Sequence, residues 1–162
     1  MLAAQLTAFR RHPPDAPRRI HALGDLLKAV RARREEFVRA ISDDFGGRAR
    51  QETLLLEVFP LVDTIRHAMR HLPQWMRPRA AAAGWQFMPG RARVVYQPLG
   101  VVGIIGAWNY PLLLSLSPMV SALAAGNHVM LKPSELAPRT ANLLARLVSD
   151  LFPADYVTVV TG

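Results

Sequence analysis

QPLGVVGIIGAWNYPLLLSLSPMVSALAAGNHVMLKPSE, residues Gln97 to Glu135, is the stretch whose reading decides the fold. It reads as a buried strand, a tight polar turn, an apolar helix and a second strand ending in charged residues. Val101-Val102-Gly103-Ile104-Ile105 is apolar on both faces, the pattern of a strand covered by helices on each side. Pro111 suits a helix start after the Asn109-Tyr110 turn, and Pro118 marks a second start or a kink. Gly126-Asn127 ends the helix, His128 to Leu131 forms the next strand, and Pro133 halts it. Polar groups therefore stand at both strand ends: Trp108-Asn109 at the first, Lys132-Ser134-Glu135 at the second. Open α/β sheets bind ligands at that edge, outside the carboxyl ends of parallel strands.

Outward from this core, Pro138-Arg139-Thr140 opens an amphipathic helix carrying Leu143, Leu144, Leu147, Val148 and Leu151. Tyr156 to Val160 is a further strand. Right-handed crossovers place the strands of residues 98–162 side by side in one parallel β-α-β-α-β unit. Residues 1–83 read as helical. Asp15 caps a helix with Pro17 in its first turn. Ile20, Leu23, Leu27, Val30, Phe37, Val38 and Ile41 follow as one stripe, and Gly46-Gly47 ends it. Leu54, Val58, Leu61, Ile65, Ala68, Met69 and Leu72 make a second stripe, which Pro60 is expected to kink or divide. Between these regions, residues 84–97 suggest a hairpin, with Trp85-Gln86-Phe87 and Val94-Val95-Tyr96 flanking the Pro89-Gly90 turn. Such a hairpin reaches a partner subunit or forms a local lid on the core.

The charge of +8 is unevenly placed: residues 1–97 hold 17 Lys/Arg against 9 Asp/Glu, and the rest balance. The basic residues are spread along helical patterns beside carboxylates, without a compact cluster. A solvated helix face, or a face that pairs with acidic side chains outside these residues, is therefore favoured over a nucleic-acid surface. No apolar run is long enough for a membrane span, and the first residues lack the ordered regions of a secretory signal, so the cytoplasm is the expected location. The absence of cysteine excludes disulfides, thiolate metal sites and a thiolate nucleophile within these residues.

Gly100, Gly103 and Gly106 are spaced GxxGxxG, which is not the dinucleotide fingerprint. Gly100 and Gly103 are expected to permit close helix packing, and Gly106 to let backbone approach a ligand. The Asn109 amide is a neutral donor suited to a developing oxyanion; the alternative is that it caps the following helix. Glu135 is the type of group that accepts from ribose hydroxyls, against the alternative of a surface Lys132 and a helix-capping Glu135. Pro133 separates the two, so they are not a helical ion pair.

At these residues the chain resembles the amino-terminal part of the aldehyde dehydrogenase superfamily over essentially its whole length. Three ordered blocks carry the likeness: Trp108-Asn109-Tyr110-Pro111, the SALAAGN of residues 121–127, and Lys132-Pro133-Ser134-Glu135. Gly106-Ala107, Asp44-Phe45-Gly46 and the run from Glu52 to Pro60 look most like the class 3 branch, and within it the bacterial coniferyl aldehyde dehydrogenases. The resemblance implies an α/β fold in which amino-terminal helices and a hairpin precede part of a parallel-sheet, NAD(P)-binding domain. It implies that Asn109 donates to a thiohemiacetal oxygen. Lys132 and Glu135 would hold the adenosine ribose of NAD, or of NADP, Ser134 would belong to the same cofactor-binding set, and Ile105 and Trp108 would line the cofactor cleft. It also implies an aldehyde substrate and a homodimeric full-length enzyme. The family's cysteine nucleophile and its glutamate base fall in segments outside this chain, which is therefore expected to be a fragment without activity of its own. The competing readings are a noncatalytic chain that pairs with a partner and a basic nucleic-acid-binding module.

Overall fold

The computed structural model describes residues 1–162. Helix α1 (Leu2–Arg11) is followed by α2 (Ala16–Ala32) and α3 (Arg34–Phe45). A short α4 (Arg50–Thr53) runs through a single π turn, Leu54–Val58, into α5 (Phe59–Trp75). Strands β1 (Arg79–Ala81) and β2 (Ala92–Val94) form the hairpin, and then β3 (Val101–Ile105), α6 (Pro111–Ala124), β4 (His128–Lys132), α7 (Pro138–Leu151) and β5 (Val157–Val159) complete the chain.

The second half is the expected β-α-β-α-β unit, a parallel sheet in the order β3-β4-β5. Register places Ile105 beside Lys132, and Gly106 N–H donates to the Lys132 carbonyl at 2.9 Å. The two strand ends that carry the polar groups are thereby fixed side by side. Helices α2, α5 and α6 pack in succession, α6 lies on β4, and α3 lies along α7. Leu23, Leu26, Leu61, Ile65, Leu116, Met119, Leu123, Val129 and Leu131 are buried in the shared core. Asp15 caps α2 as expected, accepting from Arg18 N–H at 2.9 Å, and Gly46 takes the left-handed conformation after α3.

Five expectations need correction. The stripe from Ile20 to Ile41 is two helices, broken at Arg33, whose guanidinium reaches Asp150 on α7 at 2.6 Å. Pro60 does not interrupt a helix; it lies in the first turn of α5, where its missing N–H costs little, and the irregularity is the π turn before it. The hairpin pairs Arg79–Ala81 with Ala92–Val94, while Trp85–Phe87 is a 3₁₀ turn in the connecting loop. Within these residues β3 is covered on one face only, with Ile104 buried and Gly103 and Ile105 exposed on the other. Finally, Gly103 packs against nothing, whereas a side chain at Gly106 would meet Ser115 and approach Pro133 Cα to 3.5 Å. Gly106 is thus needed for protein packing.

At the other end of the sheet, Asn127 joins α6 to β3. Its Oδ1 accepts from Leu99 and Gly100 N–H at 2.7 and 3.0 Å, and its Nδ2 donates to Ala122. Gly126, at φ +88°, lies against the buried Arg19 guanidinium, which donates to the Pro14 and Ala124 carbonyls. Gly126→Ala would both strain the backbone and displace Arg19. We expect a loss of about 2–3 kcal/mol in urea denaturation, the sum of a left-handed alanine and a weakened charged hydrogen bond.

Candidate functional site

Polar and aromatic groups converge at the carboxyl ends of β3 and β4. Ile105 is 85% exposed and Trp108 53% exposed. Lys132 Nζ and Glu135 Oε2 form an ion pair at 2.7 Å across the turn after β4. The pair bends around Pro133 without helical geometry, and the Lys132 contact holds the Glu135 carboxyl below its ordinary range, so it is ionised at neutral pH. Ser134 is buried and turned inward, its Oγ accepting from Leu136 N–H at 3.2 Å. It shapes the turn that presents its two neighbours. A cavity of about 150 Å³ lies beside them, lined by Pro133, Ser134, Glu135, Asn142 and Gly162. A larger cavity of about 570 Å³, between Trp75, Tyr96, Leu99 and Asn127, opens at the opposite end of β3. It lies away from the edge where parallel sheets bind ligands.

Asn109 is exposed, and its side chain makes no hydrogen bond within the protein. It does not cap α6. That helix begins after Tyr110, which supplies no side-chain cap, and its first amides are met from elsewhere. Glu57, fully buried, accepts from Leu112 and Leu113 N–H through Oε2 at 2.8 and 3.1 Å. Arg48 closes the arrangement: one guanidinium nitrogen contacts Glu57 Oε1 at 3.2 Å and another donates to the Asn109 carbonyl at 2.9 Å. The guanidinium also lies over the Phe45 ring at 3.8 Å, and Phe45 stacks with Trp108 at 6.4 Å between centroids. The same device recurs at α7. Asp44 accepts from Arg139 N–H, Thr140 N–H and Thr140 Oγ1 at 3.0, 2.8 and 2.7 Å.

Sequence reading missed Glu57, Arg48 and Asp44 as site-shaping residues. One local signal was available, a lone carboxylate inside the apolar run LLLEV, Leu54 to Val58. The arrangement also carries a chemical consequence. A helix N-terminus is a ready anion site, but both crossover helices already hold an internal carboxylate there. The first amides of α6 are therefore already occupied by Glu57 and are not free to cradle a phosphate, in accord with the missing GxGxxG turn.

Burial pushes the Glu57 carboxyl above its ordinary value of 4.5, against the lowering effects of the two amides and Arg48. The native state then holds this proton to higher pH than the unfolded chain, so the group's contribution to stability falls as pH rises through that interval. Removing Arg48 takes away an opposing charge and steepens the fall. Arg48→Ala loses the Asn109 and Phe45 contacts at every pH. Well above the ordinary carboxylate value, where a buried charge loses its partner, it is expected to cost about 3 kcal/mol more than near that value. Urea denaturation at about pH 5 and about pH 8 reads the difference; a cost independent of pH would contradict it.

The sequence profile of the Aldehyde dehydrogenase family matches residues 3–162. A protein of Pseudomonas aeruginosa described as "Probable coniferyl aldehyde dehydrogenase" is 45% identical over 163 residues, covering all of this chain and 34% of its own length. The substrate-bound structure of Staphylococcus aureus AldH superposes with a TM-score of 0.94 at 28% identity, over 99% of this chain and 35% of its own. PnpE in complex with nicotinamide adenine dinucleotide gives 0.82 at 28% identity, over 99% and 32%. The chain thus spans about a third of the length of the proteins it matches, and it belongs to the aldehyde dehydrogenase family.

Proposed function

We propose that this segment receives the nicotinamide dinucleotide and stabilises the reacting oxygen in an enzyme that oxidises an aldehyde to a carboxylic acid. One observation carries the reading. An exposed ammonium–carboxylate pair, Lys132 and Glu135, lies at the same sheet edge as an exposed amide, Asn109, that has no partner within the protein. The donor set suits a ribose: Glu135 accepts from its hydroxyls, and Lys132 donates to them. Ile105 and Trp108 offer apolar surface beside the pair. The bound dinucleotide supplies hydride acceptance.

Asn109 would donate to the carbonyl oxygen as it becomes anionic under nucleophilic attack, a role for a fixed neutral dipole. The attacking thiolate that the family resemblance implies would come from outside these residues, which contain no cysteine. The name of the Pseudomonas aeruginosa relative supports an aromatic, coniferyl-type aldehyde as substrate. The hairpin, with Trp85, Phe87, Met88 and Tyr96 exposed, supports a homodimer in which this arm meets a second copy.

The test is formation of reduced nicotinamide from coniferyl aldehyde by the full-length polypeptide. The isolated 162-residue chain should form none. Asn109→Ala should lower kcat by about 10²-fold, the worth of one oxyanion donor; an unchanged kcat would remove Asn109 from the reaction.

Cofactor choice follows from Glu135, whose carboxylate repels a 2′-phosphate and should give a modest preference for NAD over NADP. Glu135→Gln should narrow the NAD/NADP ratio of kcat/KM by about fivefold, corresponding to roughly 1 kcal/mol for unit charges about 4 Å apart in water. An unchanged ratio would exclude Glu135 from the ribose site.

A further inference from the structure

We propose that Glu57 and Arg48 are positioning residues for the Asn109 amide, a role that rests on the reading of Asn109 as the oxyanion donor. Asn109 has no side-chain hydrogen bond within the protein, so its amide is aimed only by the backbone on either side of it. That backbone is gripped at three points. Arg48 holds the Asn109 carbonyl at 2.9 Å, Glu57 holds the Leu112 and Leu113 amides, and Phe45 supports the Trp108 ring. Arg48 and Glu57 also hold each other, so the grips act as one unit. The Arg48 guanidinium lies over the Phe45 and Tyr110 rings, 3.8 and 5.3 Å from their centroids.

Packing alone does not explain this arrangement. In the run Leu54–Val58 the Glu57 side chain is fully buried. Glu57 lies within the π turn, an irregularity that is rare inside helices and frequent at functional sites. Burying a leucine in place of Glu57 would gain apolar area but leave the start of α6 without an acceptor and Arg48 without a partner. The buried carboxylate thus serves the amides of α6 and, through Arg48, the turn before it. An oxyanion donor must be fixed before charge develops, and a displacement of about 1 Å can cost 10²-fold in rate.

The experiment compares the full-length polypeptide with Glu57→Gln and Arg48→Lys, each alone and combined with Asn109→Ala. Glu57→Gln keeps the shape and one acceptor oxygen, and Arg48→Lys keeps the charge without the flat fork, so one variant serves if the other does not fold. Each single change should lower kcat for aldehyde oxidation by about tenfold, with the dissociation constant for NAD unchanged. In the Asn109→Ala background the same changes should cost less than about twofold, because the group they aim is gone. An equal tenfold loss in that background, or no loss in the singles, would overturn the positioning role. If the parent polypeptide does not oxidise aldehydes, the proposed function falls and this role falls with it. Activity in the parent with additive variants sinks the positioning role alone.

Discussion

Two carboxylates, Glu57 and Asp44, hold the helical layer to the working edge of the sheet. Each accepts the first free amides of a crossover helix, across 55 and 96 residues of sequence. Neither α6 nor α7 carries a side-chain cap of its own, since Tyr110 and Ala137 supply none. An α-helix leaves its opening N–H groups unsatisfied, and here the remedy is tertiary. The start of each crossover helix is thus defined only when the amino-terminal helices are docked. Because these helices start where the strands end, the same contacts set the geometry of the sheet's carboxyl edge.

This explains which features the sequence disclosed. Strands β3, β4 and β5, and the helix starts at Pro111 and Pro138, are local: apolar runs bounded by proline and glycine. The Asp15 cap and the Gly46 stop are local too, and both are present. The caps of α6 and α7 are not, because a carboxylate that serves a helix far along the chain leaves no mark of its target. The π turn is hidden for a related reason. Leu54, Leu55 and Leu56 read as part of an apolar stripe, and only the docked structure shows that Glu57 takes the inward position. The hairpin was displaced because its strands are three residues long and fully exposed, whereas the aromatic residues that suggested a strand, Trp85 and Phe87, lie in a 3₁₀ turn. The site residues followed the same division. Lys132 and Glu135 were legible as polar groups at a strand end, yet their ion pair depends on the turn formed by Pro133 and Ser134.

A helix N-terminus beside a parallel sheet can serve one of two ends. Left open, its amides and dipole cradle a phosphate, which requires a glycine turn that lets the ligand reach the backbone. Filled by a protein carboxylate, it loses that capacity and becomes rigid. Here the α6 terminus is filled, and Gly106, the glycine nearest to it, is pressed against Ser115 and Pro133. An oxyanion donor gains from this choice, because it must already be oriented when charge forms and its reorganisation would subtract from the rate. Asn109, one residue before the helix cap, lies where that rigidity is transmitted most directly. The groups proposed for the ribose, Lys132 and Glu135, stand exposed at the end of the neighbouring strand. The edge is thus divided between two strands, with Asn109, the proposed donor, after β3 and the exposed Lys132–Glu135 ion pair after β4.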